Sequence, residues 1–442
     1  MTERDALTKD ARLMALLDHL GVEAAHFATQ MPLDVAGLAR AAPERLGGVV
    51  LLVPTRLDPS PFQALAKRVM IAGGDQGNPV EVATRAMAAL PGARGHVFKG
   101  YQTTGWSDIA RERTAEVVDV MSGFLAAIPL PVPGRQGEAA SGTHAGLSYR
   151  ISGRGPALVL SPFFLAASQW DPVEALLAEH FTVIRIGGAH VGGVAALEDR
   201  ARTPSYRSLL ATLAENADAR AGARILDVGC GSGVLSRLLA ARLGVGSAID
   251  AVDVNGYLMG EAAHLAAAEG VGRQIRFHIG SAEALPFPDA AFDCVLSVTV
   301  LEECDADKAI AEMVRVAKPG GRIGIVVRAI DMGQWWSLDL DPSLRERAET
   351  SPQSVASGGV ADKSLYRRLR QAGLRDLKVF PQLVTLDRPD GTIWRYREDH
   401  VLAQLDARER TRWIALRQAA EADTGLFQAH AMHCAVATKP KS

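Results

Sequence analysis

At 442 residues the chain is too long for one ordinary domain and predicts two or three compact units. Hydrophobic residues make up 48% and charged residues 22%, enough to build real cores and inconsistent with wholesale disorder. The 48 basic and 50 acidic side chains leave a formal net charge of −2, which argues against an electrostatic nucleic-acid partner. The densest basic run, Arg408, Arg410, Arg412 and Arg417, is interrupted by Glu409 and reads as a solvated helix face. Cys230, Cys294, Cys304 and Cys434 form neither a disulfide framework nor a metal-ligand spacing, so no metal is expected. The opening MTERDALTKDAR has no apolar segment of signal-peptide length, and no stretch approaches a membrane span. A reducing cytoplasm is the expected compartment, with no membrane partner.

In chain order, Leu16 to Phe27 and Ala41 to Leu46 precede an apolar strand, Gly48 to Pro54. A second strand runs from Arg68 to Asp75, then a helix from Pro79 to Leu90, the segment Pro91 to Phe98, and a helix ending near Ala127. Val132 to Gly146 is a Pro-, Gly- and Ser-rich linker. Further strands lie within Gly146 to Leu160 and Phe181 to Ile186.

These segments resemble an α/β-hydrolase in permuted order, the later half first. The resemblance implies a Gly-x-Ser-x-Gly elbow, whose glycines permit a strained turn that exposes the serine. Counting back from Pro43, the elbow falls on Phe27-Ala-Thr-Gln-Met31, with both glycines gone. Ser161-Pro162 stands where the fold's His-Gly pair shapes the oxyanion site, and Gly100 to Gly105 runs where its histidine is expected. Asp75 remains near the acid position, but an acid alone does no chemistry. Residues 1–200 are therefore expected to be a degenerate hydrolase-like domain with a packing, homo-oligomerising or substrate-enclosing role.

From residue 201 to 442 a second domain is expected. Ala223 to Asp227 reads as a short buried strand, followed at once by Gly229, Gly231 and Gly233 and then by an amphipathic helix, Val234 to Leu243. This is the opening unit of a nucleotide-binding sheet, but its glycines alternate, unlike the dinucleotide fingerprint. Asp227 would place a negative charge beside any pyrophosphate; it suits an ammonium or a sulfonium instead. A second strand, Ser247 to Asn255, ends near Asp253, where a carboxylate can accept from ribose hydroxyls. A third runs from Gln274 to Gly280 and a fourth from Phe292 to Thr299. A helix, Asp307 to Ala317, stops at the turn Lys318-Pro-Gly-Gly321, and Arg322 to Arg328 is a fifth strand. A helix at Lys363 to Gly373, a strand near Leu377 to Leu386 and a final strand at His430 to Ala437 close the sheet, around a helical insertion at 390–426.

The strings ILDVGCGSG, DVN, GSAEALPFPDAAFD, VLEE and RVAKPGG, in this order, resemble the class I S-adenosylmethionine-dependent methyltransferases, in the branch of the ubiquinone and menaquinone methyltransferases. The resemblance spans roughly Tyr206 to Lys439 and implies a Rossmann-like, seven-stranded α/β sheet with S-adenosylmethionine as cofactor. It implies that Asp227, Gly229 and Gly231 hold the cofactor's methionine end, with Cys230 and Gly233 completing the turn. Asp253 would bind the ribose with Val254 beside it. Ser281, Ala282 and Glu283 would flank the adenine, and Ser297 and Thr299 would lie beside the cofactor. Two departures stand out: Ser281 replaces a frequent Asp, and Glu303 replaces a frequent His. Glu302, Glu303 and His430 are the candidate general bases. His430, His433 and Cys434 fall on opposite faces of one strand and so do not form a metal site. Trp335 and Trp336 either line a substrate pocket or cap the core. The expected activity is methyl transfer to a small-molecule or natural-product-type acceptor. Two alternatives remain: a residual ester or thioester hydrolase in the N-terminal half, and a non-catalytic cofactor-binding protein.

Overall fold

The computed structural model describes residues 7–76, 79–102, 107–134, 141–353, 355–356, 358–389, 391–402 and 404–441. The first six residues of the N-terminal segment, residues 135–140 of the linker, Thr103 to Gly105 of the hydrolase-like segment, and Asp390 and Ala403 of the insertion lie outside them. The chain divides into two compact units, Met1–Ala195 and Ala196–Ser442. The cut falls inside a helix, Gly192–Arg202, whose Glu198 bonds Ser232 and Arg237 of the second unit.

The first unit is built on β1 (Ala25–Thr29), β2 (Leu46–Leu52), β3 (Val69–Gln76), β4 (Arg94–Gln102), β5 (Ser141–His144), β6 (Leu147–Ser152), β7 (Ala157–Leu160) and β8 (Thr182–Gly187). They form one eight-stranded sheet in the order β4-β3-β2-β1-β7-β8-β6-β5. It is parallel from β4 to β8 and antiparallel at the β8-β6-β5 edge. All seven residues of β2 are buried, as a central strand covered on both faces requires. Alternate residues feed separate cores: Phe27, Val49 and Leu51 pack on one face, Ala28, Val50 and Leu52 on the other.

The second unit carries β9 (Arg224–Val228), β10 (Ala248–Asp253), β11 (Ile275–Ile279), β12 (Phe292–Val298), β13 (Ala317–Arg328), β14 (Gln334–Trp336), β15 (Arg375–Val379), β16 (Gln382–Leu386) and β17 (Gln428–Thr438). Their order is β11-β10-β9-β12-β13-β17-β14, with β15 and β16 also on β17. The first five are parallel and β17 is antiparallel to β13. From β9 the chain steps outward to β10 and β11, then returns to β12 on the other side of β9. The carboxyl ends of β9 and β12 thus flank a topological switch point, where sheets of this kind bind ligands.

Four sequence expectations need correction. In the first unit, Ser141–His144 lies inside the linker expected from Val132 to Gly146 but pairs with β6 as β5. The others concern the second unit. The sheet has nine strand segments, not seven. The strand expected near Leu377 to Leu386 is split into β15 and β16, which keep one register on β17. Phe380 still donates its N–H to Cys434 O, but Pro381 has no N–H to continue the ladder. Gln334–Trp336, to which no element was assigned from sequence, pairs with β17 as β14, with Gln334 and Trp336 buried. Finally, Lys318 to Gly321 is not a plain turn: β13 already pairs with Phe292 at Ala317, and the register slips before Cys294. Gly320, at φ +78°, lies within this bulged stretch.

The insertion folds into two helices, Thr392–Leu402 and Ala407–Ala422. Asp406 and Glu409 form a capping box at the start of the second. Trp336 meets Trp394 and Trp413 edge-on, with ring centroids 5.2 and 5.1 Å away, so the buried tryptophan of β14 pins both helices to the sheet. Trp335, half-exposed, packs on Phe427 instead. Arg408, Arg410 and Arg412 are solvated as expected, whereas Arg417 turns inward to Glu398 at 3.3 Å.

Candidate active site

At the switch point, Gly229, Gly231 and Gly233 all adopt left-handed backbone, with φ of +70°, +55° and +79°. A side chain at Gly229 would also overlap the Val300 methyl groups, so glycine is required there by conformation and by space. The turn is held from below. Gly229 N and Cys230 N both donate to Val252 O, and Gly231 N donates to Asp253 Oδ2 at 2.9 Å. Asp253 Oδ1 accepts from Asn255 N at 3.0 Å, and Asn255 in turn caps the helix Gly256–Ala268. Asp253 is therefore a brace for the glycine turn as well as a group at the mouth of the site.

Asp227 lies under the turn, 2% exposed. Its Oδ2 accepts from both the backbone and the hydroxyl of Ser236, satisfying an early N–H of the following helix. Burial, reinforced by the charge of Asp253, pushes its pKa up to about 6 despite those two bonds. Asp253 is shifted in the same direction, mainly by burial. Two carboxyls held partly out of water, with no described salt bridge to either, favour a cationic ligand. S-adenosylmethionine, with its sulfonium and ammonium, fits that requirement.

Beyond Asp253 the surface is apolar and open. Val254 is 74% exposed and Ile279, at the tip of the neighbouring β11, is 67% exposed, so two aliphatic side chains stand at adjacent strand ends. Ile279 was not among the sequence candidates; an aliphatic residue ending a strand carries no signal until β10 and β11 are seen to pair. Ser281 Oγ accepts from Glu283 N at 3.1 Å and keeps a second lone pair. Ala282, between them, packs against the core beneath β12. Glu283 is turned away, accepting from Asp305 N at 2.9 Å where the helix Ala306–Val316 begins.

Ser297 is fully buried and donates to Val228 O at 3.1 Å, a tie between β12 and β9. Thr299, the first residue past β12, has φ +56°, a costly conformation for a β-branched side chain and one typical of ligand sites. Its Oγ1 accepts from Arg200 at 3.2 Å, and Arg200 also lies over the ring of the buried Tyr206, 4.7 Å from its centroid. Neither Arg200 nor Tyr206 was singled out from sequence.

The three candidate bases differ sharply. Glu302 is 1% exposed; its Oε1 accepts from Arg328 N at 2.7 Å, while its buried Oε2 has no hydrogen-bond partner among the described residues. Burial pushes its pKa up to about 7. Glu303 is exposed and pairs loosely with Arg328 at 3.6 Å. His430 is buried among β14, β16 and β17; burial first, then the charges of Arg397, Arg200 and Arg328, hold its pKa well below the usual value. His433 is engaged on both ring nitrogens, by Tyr366 and by Asp331, each at 2.7 Å. Among the described residues no group of three His, Cys, Asp or Glu side chains could hold a metal ion, and no helix is long and apolar enough to cross a membrane.

Comparison with known proteins bears on this geometry. A family model described as a methyltransferase domain matches residues 226–325. The chain is similar to the ubiquinone/menaquinone biosynthesis C-methyltransferase of Hahella chejuensis, 32% identical over 169 residues, 35% of this chain and 68% of the relative. The corresponding enzyme of Legionella pneumophila strain Corby is 33% identical over 133 residues, 28% of this chain; the chain spans about half of that relative, 53%. Among solved structures, the YcgJ protein of Bacillus subtilis is similar over 53% of this chain and 100% of its own, at 20% identity and a TM-score of 0.38. Through its second unit the chain belongs to the class I S-adenosylmethionine-dependent methyltransferases, with S-adenosylmethionine as its cofactor.

Proposed function

We propose that the protein transfers the cofactor's methyl group, in line, to a small-molecule acceptor of natural-product type. The observation that carries this reading is the joint placement of the glycine turn, Asp227 and Asp253 at the switch point of the sheet, with Thr299 strained beside them. The sulfonium supplies an already activated methyl group. What the chain's residues contribute is orientation and exclusion of water, which is worth roughly 7–11 kcal/mol in favourable cases. In this reading Asp227, Gly229 and Gly231 hold the methionine end, Asp253 accepts from the ribose, and Val254 and Ile279 seat the adenine.

Of the three candidate bases, Glu302 is the one we assign. A carboxyl with a pKa of about 7 and an oxygen without a hydrogen-bond partner among the described residues is poised to take a proton from an acceptor hydroxyl or amine. Glu303 is exposed and lies beside Arg328, and His430 is held neutral as a weak base.

The first unit we read as a permuted hydrolase-like scaffold. Its support is the sheet order: the later strands β5 to β8 form one end and the earlier β1 to β4 the other, joined through β1 and β7. Thr29, at the elbow position, is fully buried, and its hydroxyl is tied to the backbone at Met31. That favours a scaffold over a working hydrolase. The test is incubation with methyl-labelled S-adenosylmethionine and fractionated host extract, followed by identification of the labelled product. Labelled small molecules support the reading; cofactor binding without S-adenosylhomocysteine release sinks it. Labelling by a serine-directed fluorophosphonate would revive the hydrolase.

A further inference from the structure

Arg200 lies in the helix Gly192–Arg202, on the second unit's side of the cut, and is partly exposed. Its Nη1 donates to the Thr299 hydroxyl at 3.2 Å, and its guanidinium lies over the Tyr206 ring, 4.7 Å from the centroid. Two neutral groups thus fix its orientation. Its buried Nε has no hydrogen-bond partner among the described residues, and no described carboxylate forms an ion pair with it. The acids just before it in the helix turn elsewhere: Glu198 pairs with Arg237 at 2.6 Å and Asp199 with Arg388 at 3.9 Å.

A guanidinium drawn partly out of water without a counter-charge is costly unless an anion comes to meet it. The switch point is divided by charge. Asp227 and Asp253 lie beneath and beside the glycine turn at the ends of β9 and β10, while Arg200 stands at Thr299, just past the end of β12, the other neighbour of β9. Tyr206 joins the two sides. Burial raises its pKa, Arg200 lowers it and Asp227 raises it again, so one phenol stands in the field of both charges. An α-amino acid carries a cation and an anion on one carbon, and a site with acids on one side and a guanidinium on the other is complementary to it. The methionine end of the cofactor is such a group. Its carboxylate finds no donor in the first part of the turn, because Gly229 N and Cys230 N already donate to Val252 O and Gly231 N to Asp253.

We propose that Arg200 binds the α-carboxylate of the cofactor's methionine end, held ready for it by Thr299 and Tyr206. A guanidinium presents paired donors that match a carboxylate's two oxygens. The inference rests on the methyltransferase reading, because it is the cofactor that brings the carboxylate.

The test compares S-adenosylmethionine with its decarboxylated analogue, which keeps both the sulfonium and the ammonium, by calorimetry at constant ionic strength. Wild type is measured beside Arg200→Met and, should that variant fold poorly, Arg200→Gln, which keeps an amide donor for Thr299. Wild type should bind S-adenosylmethionine at least about tenfold more tightly than the analogue, as a charge-assisted pair requires. The variants should lose that advantage, so that both ligands bind with similar affinity, while the analogue binds them no more weakly than it binds wild type. Equal affinity of wild type for the two ligands overturns the proposal. So does a variant that keeps the wild-type preference. A variant that loses both ligands in proportion also overturns it, by making Arg200 a support for Thr299 alone. Wild type that binds neither ligand would overturn the methyltransferase reading and the proposal with it, whereas the other failures strike the proposal alone.

Discussion

Asp253→Ala offers the sharpest separation between bracing the glycine turn and binding the cofactor. In the folded protein Asp253 accepts from Gly231 N at 2.9 Å and Asn255 N at 3.0 Å. Removing it strands two N–H groups beside water, and at about 1 kcal/mol for each lost bond the second unit should lose about 2 kcal/mol. For a domain of this size that is a fall in melting temperature of roughly 4–8 °C. Binding should suffer separately, because the ribose hydroxyls lose a charged acceptor. A tenfold loss, about 1.4 kcal/mol, is the floor expected. Asp253→Asn should retain an acceptor oxygen and fall between the two proteins. Calorimetric titration with S-adenosylmethionine and thermal melts on all three proteins check both parts. Unchanged affinity in Asp253→Ala, with or without a lower melting temperature, would refute the ribose assignment and leave Asp253 a purely structural brace.

Glu302 should make the fold pH-sensitive. Its folded pKa is raised to about 7, so the folded state binds its proton more tightly than the unfolded chain. The contribution is complete below the unfolded carboxyl value and is lost as pH rises through 7, about 3 kcal/mol at most. Glu302→Gln should therefore gain on wild type in melting temperature from pH 5 to pH 8; a constant gap would contradict the buried, protonated state. If Glu302 is also the base, the same variant loses turnover and the rise of kcat through neutral pH. Gly229→Ala should abolish cofactor binding and destabilise by more than the roughly 1–2 kcal/mol of a left-handed alanine, because Val300 blocks its methyl. Gly244→Ala, at φ +72° and ψ −166°, sits in a backbone region essentially confined to glycine, so it should cost about 1–3 kcal/mol in a denaturant melt from backbone strain alone, with open space around it. Trp336→Ala should cost about 3–5 kcal/mol in the same assay, whereas Trp335→Ala, half-exposed, should cost well under half as much.

The parts of the site legible in the sequence are those whose chemistry depends on neighbours close in the chain. A strand, three alternating glycines and a helix within residues 224–243 must make a ligand turn, because only glycine takes that backbone and only the flanking periodicities place it between sheet and helix. An acid ending the next strand follows the same local logic. Side-chain direction was not legible. Glu283 and Ser297 stand at family positions, yet one caps a helix at Asp305 and the other ties β12 to Val228, since a hydrogen bond goes to whichever group the fold brings near. Pro381 is visible in the sequence, but that it divides one strand without ending it depends on the partner β17.

The sequence by itself determined the class of fold, through local periodicity and residue types at short spacing, and pointed to the cofactor through the family resemblance that its ordered motifs carry. Tertiary structure alone decided the electrostatics. Arg200, Arg328 and Arg397 come from a helix before the sheet, a strand within it and an insertion between its last two strands, and all three bear on one buried histidine. Each looks like a surface arginine when read along the chain. Whether a charge is solvated, paired or buried depends on what lies around it, and those neighbours are fixed only when the chain has folded.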